Sequence, residues 1–488
     1  MAGDPSSILR QIGKADEQFR NLIAYVRGPD ALGATAYEVE LHVLRELLGL
    51  GALLLKLFFD ARTRASGPPP PAADGAGSRL HSWRPRTYLS VFGPVRVSRR
   101  YYRTESGGGV CPLDAELSLG RRCYSDLLRS WLEYAVTKEA YDEAVESLSR
   151  FLGFKIDKHA LERLVEEDAR DVDAFYSQRP SPAAADEGPI LVAQIDGKGV
   201  RMAIRTDSGA LRTEKREAVV TALYTIDPHK RRVEPISDTL AGKPADAVSK
   251  APTAVRPVPV AKELRATLHG KDTAFEHLAR SAQERDGPHI RHRVALTDGD
   301  PALQKRVHEH LPTFSLVLDA VHAAGYVRAA SEAVLGEGNP MLPDYVACRL
   351  DELLGGQLNR MLDTLDDPFG CTQTLSPAEE QVVATAVRYL RRNAEYMHYD
   401  EYLAKGWPIA TGVIEGAARH LVKDRMECSG MKWRSPGAQA VLDLRSVRVN
   451  GYWDDYQRFR RRREHLRIHG PSEPLGETPE ETALAQAA

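Results

Sequence analysis

The sequence predicts an α/β protein, a sheet covered by helices, with an all-α insertion and a mainly helical amino-terminal region ahead of it. Short apolar runs that end at an Asp alternate with helix-length segments between residues 189 and 322, the order that builds a helix-covered sheet. Residues 323 to 404 then show helical spacing with no convincing strand. Two stretches rich in proline and small residues, Ala65 to Ser78 with Pro68 to Pro71 and Gln178 to Gly188 with Pro180 and Pro182, set the region before the sheet apart.

Taken in order, Tyr37 to Arg62 places Leu41, Leu44, Leu47, Leu48 and Leu54 at helical spacing, with Glu38 and Glu40 in the first turn. A two-stranded element follows, Arg86 to Val91 and Val95 to Tyr102, joined at Phe92-Gly93-Pro94. Residues 123 to 175 read as helical throughout. Within them Ala140 to Phe151, the turn Leu152 to Lys155 and Asp157 to Ala169 have the lengths of a helix-turn-helix, with Asp157 as cap. On that reading Lys158, His159 and Arg163 touch DNA; the alternative is a helical hairpin that never meets it. No internal repeat is evident.

The sheet region opens with strands Ile190 to Ile204 and Glu217 to Ile226, the second alternating Val219, Thr221, Leu223 and Thr225. A helix from Ala261 to Glu284 then leads to the strand ending at Asp298. A helix from Pro301 to His310 leads to the run Phe314 to Leu318, which ends at Asp319. The predicted division is 1–64 helical, 65–78 linker, 79–122 hairpin segment, 123–177 helical and DNA-reading, 178–188 linker, 189–322 first part of the core, 323–404 all-α insertion, 405–470 final helix and basic segment, and 471–488 disordered tail.

Composition fits a large cytoplasmic enzyme. The chain has 488 residues, 42% of them hydrophobic, enough for several domains and a sizeable core. Its most apolar segment, Val43 to Phe59, is interrupted by Arg45, Glu46 and Lys56, and the amino terminus lacks a basic-then-apolar leader, so neither membrane insertion nor export is expected. Cys111, Cys123, Cys348, Cys371 and Cys428 lack metal-ligand spacing. A net charge of −2 does not exclude a nucleic-acid partner, because a basic stripe can be balanced elsewhere. Arg458, Arg460, Arg461, Arg462, Arg463 and Arg467 form one, interleaved with Tyr456 and Phe459 and followed by the acidic Glu473, Glu477, Glu480 and Glu481. It reads equally as a phosphate-contacting helix and as a solvated helical face.

Three carboxylates carry the chemistry. Asp196 precedes the turn Gly197-Lys198-Gly199, Asp298 precedes Gly299-Asp300, and Glu415 opens a helix in the run from Gly406 to Arg425, with Arg419 and Lys423 following at intervals of four. Singly these are an Asp-Gly turn, another, and a helix-surface ion pair. Together, Asp, Asp and Glu from separate elements, 102 and 117 residues apart, can hold two divalent cations for phosphoryl transfer, the chemistry of ribonuclease-H-like nucleotidyl transferases. Asp298 is preferred to Asp300 as second carboxylate, and Asp227 before Pro228 has a turn explanation. Lys198 stands where it can meet a phosphate. Trp407 and Trp433 flank the Glu415 helix, set either to stack on an unpaired base or to pack in the core.

The segment Tyr399-Asp400-Glu401-Tyr402-Leu403 through Arg425, the turns Asp196-Gly197-Lys198-Gly199 and Asp298-Gly299, and Phe92-Gly93-Pro94-Val95-Arg96-Val97 with Arg99-Arg100-Tyr101-Tyr102 resemble bacterial insertion-sequence transposases of the Kra type, relatives of Mutator-like DDE transposases. The resemblance runs from about residue 80 to 470, and Asp319-Ala320-Val321-His322 is similar to the acidic-residue, two-spacer, histidine motif of Mutator-like enzymes. It implies a ribonuclease-H-like core with an all-α insertion. It also implies two Mg2+ ions, for which Mn2+ substitutes, on Asp196, Asp298 and Glu415, with Asp319, His322 and Lys198 accessory. The implied partner is double-stranded DNA, the element's terminal inverted repeats and its target, bound by a homo-oligomer at the bacterial nucleoid through Lys158, His159, Arg163, Arg419, Lys423 and Arg460 to Arg463. Some relatives carry paired cysteines after the Tyr-Tyr-Arg segment; here Thr104, Glu105 and Ser106 precede a lone Cys111, which argues against zinc there. The competing functions are a catalytically silent DNA-binding descendant, against which three intact carboxylates count, and a nuclease that cuts without joining.

Overall fold

The computed structural model describes residues 5–69, 77–104, 108–205, 209–244, 255–366 and 375–471. Pro70, Pro71, Glu105, Ser106, Cys371 and the tail from residue 472 onward lie outside the described residues. The chain divides into two units, Met1–Arg179 with Gly451–Ala488, and Pro180–Asn450.

The first unit begins with α1 (Pro5–Arg27), α2 (Pro29–Leu32) and α3 (Ala36–Ala65). Helix α3 starts at Thr35, whose hydroxyl accepts from the Glu38 N–H while the Glu38 carboxylate accepts from the Thr35 N–H at 2.8 Å, a reciprocal cap. The expected hairpin forms and is longer than its apolar core: β1 (Ser78–Ser90) pairs antiparallel with β2 (Gly93–Thr104), and β3 (Gly109–Val110) adds at Tyr102 and Arg103. Phe59 of α3 packs with Val95 and Val97 of β2 and with Leu113 and Leu119 beyond it. Then follow α4 (Pro112–Glu116), α5 (Asp126–Val136), α6 (Tyr141–Leu152), α7 (Lys158–Ala169) and α8 (Val172–Gln178). The two helices expected at Ala140 to Phe151 and Asp157 to Ala169 form as α6 and α7, within one residue of those bounds. Gly153 ends α6 at φ 75°, a conformation that suits glycine, and the Asp157 carboxylate caps α7 by accepting the Ala160 N–H at 2.9 Å.

The second unit contains β4 (Ile190–Arg205), β5 (Leu211–Ile226), α9 (Glu234–Leu240), β6 (Val260–Thr267), α10 (Lys271–Arg285), β7 (His292–Thr297), α11 (Pro301–His310) and β8 (Ser315–Leu318). Its five-stranded sheet has the order β6-β5-β4-β7-β8, antiparallel across β6-β5-β4 and parallel across β4-β7-β8. One expectation fails: the helix read from Ala261 to Glu284 starts only at Lys271, and Val260–Thr267 is a strand. Ala261, Lys262, Glu263 and Leu264 are helix formers, but pairing with β5 overrides local preference. The outer edge of β6 is also occupied: the Asn450 side chain accepts from the Leu264 N–H and donates to its carbonyl, both at 2.9 Å.

The remaining elements of this unit are α12 (Ala320–Leu335), α13 (Leu342–Leu354), α14 (Leu358–Asp366), α15 (Pro377–Arg392), α16 (Tyr399–Lys405), α17 (Gly412–Ala417), a π-helical turn Ala418–Lys423, α18 (Asp424–Met426) and α19 (Ser435–Val449). Alternation in β4 sorts the core. Ile190 and Val192 face helices α12 to α16 together with Val294, Leu296 and Val317, whereas Leu191, Ala193 and Ile195 face α10 and α11. The last helix, α20 (Trp453–His469), belongs to the first unit, so the segment expected to run from 405 to 470 divides at Asn450. No helix among the described residues is long and apolar enough to cross a membrane.

Candidate active site

The parallel register of β4 with β7 pairs each residue with one 102 further on, from Ile190 with His292 to Gln194 with Leu296. Two residues beyond that last pair stand Asp196 and Asp298. Side chains two apart share a face, and neighbouring strands lie about 4.8 Å apart, so both carboxylates leave the sheet side by side on the face of Val192 and Leu296. Strand β8 repeats the arrangement: Thr297 pairs with Leu318, and the Asp319 N–H donates to the Thr297 carbonyl at 2.9 Å, which brings Asp319 next to Asp298.

Their partners distinguish the three. Asp196 is half-buried and accepts the Gly197 N–H at 2.7 Å. Asp298 accepts the Asp300 N–H at 3.0 Å, while Asp300 itself caps α11 by accepting the Ala302 N–H at 2.9 Å. Asp300 therefore has a structural task, and Asp298 is the carboxylate in register with Asp196. Asp319 is fully buried and saturated: it caps α12 through the Val321 N–H at 3.0 Å, meets His322 Nδ1 at 3.0 Å and accepts the Thr411 hydroxyl at 2.6 Å. Burial raises the Asp196 carboxyl above its usual range. The Gly197 N–H opposes that shift, the neighbouring Asp298 charge adds to it, and Lys198 and His322 lower it. His322 is raised, first by its bond to Asp319 and also by the charges of Asp319, Asp298 and Asp196.

Gln194 sits one side-chain step before Asp196 on the same face and fixes the helix that carries Glu415. Its side-chain oxygen accepts the Ile414 N–H at 2.9 Å, and its amide donates to the Tyr224 hydroxyl at 2.9 Å and the Ala410 carbonyl at 3.3 Å. The Ala320 N–H donates to the Ile409 carbonyl at 2.8 Å. With Thr411 bound to Asp319, residues 409 to 414 are held to β4 and to the start of α12. Glu415 follows directly; it is exposed, and its side chain makes no hydrogen bond or ion pair among the described residues. Arg419 and Lys423 are exposed too, on a helix whose π-helical turn interrupts the strict four-residue repeat, and Arg419 lies 3.8 Å from Asp424. Lys198 is half-buried on the face of Asp196.

Among the described residues no three His, Cys, Asp or Glu side chains close into a metal-holding group. The donors nonetheless suit a hard cation: two carboxylates in register, one of them held above its usual range beside the other's charge, and a third without a partner. Sequence reasoning missed Gln194 and Thr411. The signal for Gln194 was present, a lone amide in an apolar run, at the same parity as Asp196.

The remaining predicted residues stand as follows, with Arg460 a correction. Arg460 is 1% exposed and paired with Asp126 and Glu464, each at 2.8 Å, so it is not available to a phosphate. Arg463 lies 3.7 Å from Asp171, Arg461 donates to the Gln457 carbonyl at 3.2 Å, and Arg462 is half-buried. Tyr456 is buried with its hydroxyl on the Asp168 carbonyl, and Phe459 packs on Phe175. Trp407 is stacked on Tyr402, and the Trp433 indole donates to the Met426 carbonyl at 3.0 Å; both are buried, so neither offers a face to a base. In the helix-turn-helix, Lys158 pairs with Asp142 at 2.6 Å and His159 with Glu162 at 3.2 Å, while Arg163 is exposed.

Compared with protein-family models and with curated proteins, the chain matches none. Among solved structures it is similar to the Drosophila P element transposase strand transfer complex, at 11% identity and a TM-score of 0.25, over 72% of this chain and 93% of that one. A TM-score of this size does not establish a shared fold.

Proposed function

We propose that the protein is a DDE transposase of the Kra type, which binds the ends of its insertion sequence, cleaves a strand at each end and joins the released 3′ hydroxyl to target DNA. The observation that carries the reading is the register of Asp196 with Asp298 beside a helix start fixed by Gln194 and Asp319. Further support is the sheet, three antiparallel strands followed by two parallel ones with acidic residues at the ends of β7 and β8, an order compatible with a ribonuclease-H-like core. In this reading the helices from α12 to α16 are the all-α insertion.

In this proposal Asp196, Asp298 and Glu415 hold the metal. When bound, two Mg2+ ions, or Mn2+ in their place, activate the attacking oxygen and stabilise the leaving one. Asp319 takes no metal: its oxygens are engaged by Val321, His322 and Thr411, and its task is to position His322 and the start of α17. Lys198 meets the scissile strand's phosphate, and Arg419 and Lys423 meet the backbone further along. Lys158, His159 and Arg163 read the terminal repeat, for which Lys158 and His159 exchange their carboxylate partners for DNA.

Incubation of the whole chain with Mg2+ and duplexes ending in its own terminal repeats tests the reading. Strand cleavage followed by joining is expected, with cleavage abolished by Asp196→Asn, Asp298→Asn or Glu415→Gln and binding to terminal DNA retained. Cleavage without joining reduces the proposal to a nuclease, and full activity of Glu415→Gln removes the three-carboxylate mechanism.

A further inference from the structure

The β1–β2 ribbon is the most one-sided stretch of charge in the chain. Residues 77 to 104 contain seven arginines and a histidine and no Asp or Glu, in a protein whose net charge is −2. Three of the arginines are engaged inside the unit: Arg86 donates to the Gly120 and Arg122 carbonyls, Arg99 pairs with Asp114, and Arg100 donates to the Ser66 carbonyl at 2.8 Å. The other four, Arg79, Arg84, Arg96 and Arg103, are exposed and have no ion pair among the described residues. Arg84 lies over the Tyr101 ring, 3.4 Å from its centroid. Trp83, 42% exposed, has the Arg100 guanidinium 5.6 Å above its own ring.

The contrast with α20 matters. That helix is the denser basic run in the sequence, yet Arg460 is buried, and Arg458, Arg463 and Arg467 each stand beside an Asp. In the ribbon two exposed cations face each other, Arg79 and its register partner Arg103, while Arg84 stands opposite the Asp114-paired Arg99 and Arg96 opposite Thr87. Like charges opposite each other destabilise a sheet, and a polyanion relieves that cost. A two-stranded ribbon also has the right dimensions. It fits the major groove of a duplex, and its strands of 13 and 12 residues reach about 40 Å, roughly one turn of DNA.

We propose that the β1–β2 ribbon is a duplex-DNA-binding surface, in which Arg79, Arg84, Arg96 and Arg103 contact phosphates. It rests on the reading of DNA as substrate and adds to it a second grip, independent of the helix-turn-helix and of the carboxylates. The contacts are to the backbone, so the ribbon holds random and terminal duplexes alike.

The test is binding of the full-length protein to a labelled random-sequence duplex in EDTA, across a salt titration, for the wild type and for a variant with Arg79, Arg84, Arg96 and Arg103 all changed to Ser. The expected result is an affinity loss of more than about tenfold at low salt and a fall of about 3 to 4 in the slope of log affinity against log salt, since each lost phosphate contact removes about 0.9. The same four positions changed to Lys keep the charge and should recover most of the affinity, which separates lost contacts from lost folding. A Ser variant with wild-type affinity and slope overturns the proposal, as does a wild type that binds phosphatidylserine vesicles and not DNA. The two readings fail separately. If the ribbon variant loses DNA while the wild type never cleaves with Mg2+, the transposase falls and the ribbon stands; if the wild type cleaves terminal DNA and the variant binds unchanged, the ribbon alone falls.

Discussion

The Gln194 side-chain oxygen accepts the Ile414 backbone N–H at 2.9 Å, so the strand that carries Asp196 also sets where the helix carrying Glu415 begins. Each partner lies one short step from a candidate metal ligand.

Replacing Gln194 by Leu keeps its bulk and removes those bonds. The Ile414 N–H and the Tyr224 hydroxyl are then buried without a partner, at a cost of about 2–4 kcal/mol. Urea denaturation should show that loss. Strand cleavage should fall further than DNA affinity, because the start of α17 is loosened while the phosphate contacts remain.

The raised Asp196 carboxyl has a consequence for stability in the absence of metal. A carboxyl whose folded value lies above its unfolded one favours the fold while protonated, and that contribution is lost as pH rises from the ordinary carboxylate range through the folded value. Once ionised, Asp196 stands beside Asp298 at a cost to the fold. Asp196→Asn should therefore melt higher than the wild type at pH 7 in EDTA, with the advantage disappearing at acid pH. Thermal melts across pH check it, and an Asn variant that melts lower at pH 7 contradicts it.

A divalent cation held by these carboxylates should raise the wild-type melting temperature, by linkage worth about 2.7 kcal/mol at a hundredfold excess over its dissociation constant. Asp196→Asn and Asp298→Asn should lose most of that response to Mg2+ or Mn2+. Equal stabilisation of all three proteins would place the ion elsewhere.

His322 works in the opposite sense to a depressed carboxylate. Its folded value is raised, first by the bond to Asp319, so its contribution is present in full below the ordinary histidine range and lost as pH rises through the folded value. His322→Gln should flatten the stability profile in that window. The effect is modest, since about half of the ring is exposed to solvent.

Arg460→Ala tests the corrected role of the last helix. Removing a buried guanidinium leaves Asp126, Asp168 and Glu464 without it, and a loss of about 3–5 kcal/mol is expected. Arg461→Ala, on an exposed position of the same helix, should cost little. A stable Arg460→Ala protein that loses DNA affinity would restore the phosphate-contacting role.

The sequence by itself determined what depends on near neighbours. Helix α11 matches its predicted span from Pro301 to His310, and the strands ending before Asp298 and Asp319 were legible because a short apolar run between turn residues is a local signal. The Asp157 cap and the Gly153 stop were legible too, being fixed by one side chain and one φ angle. The separation of 102 between Asp196 and Asp298 was in the sequence as a bare number, and only the β4–β7 pairing made it a register. Tertiary structure alone decided the rest. Residues 260–267 are a strand because β5 and Asn450 satisfy their backbone against the preference of Ala, Lys and Glu for helix. Arg460 is interior because Asp126, Asp168 and Glu464 converge on it from three helices, whereas the sparser arginines of the ribbon stay exposed. Charge density along a chain does not reveal which carboxylates the fold will bring to it, since ion pairs and buried amides such as Gln194 join residues hundreds of positions apart.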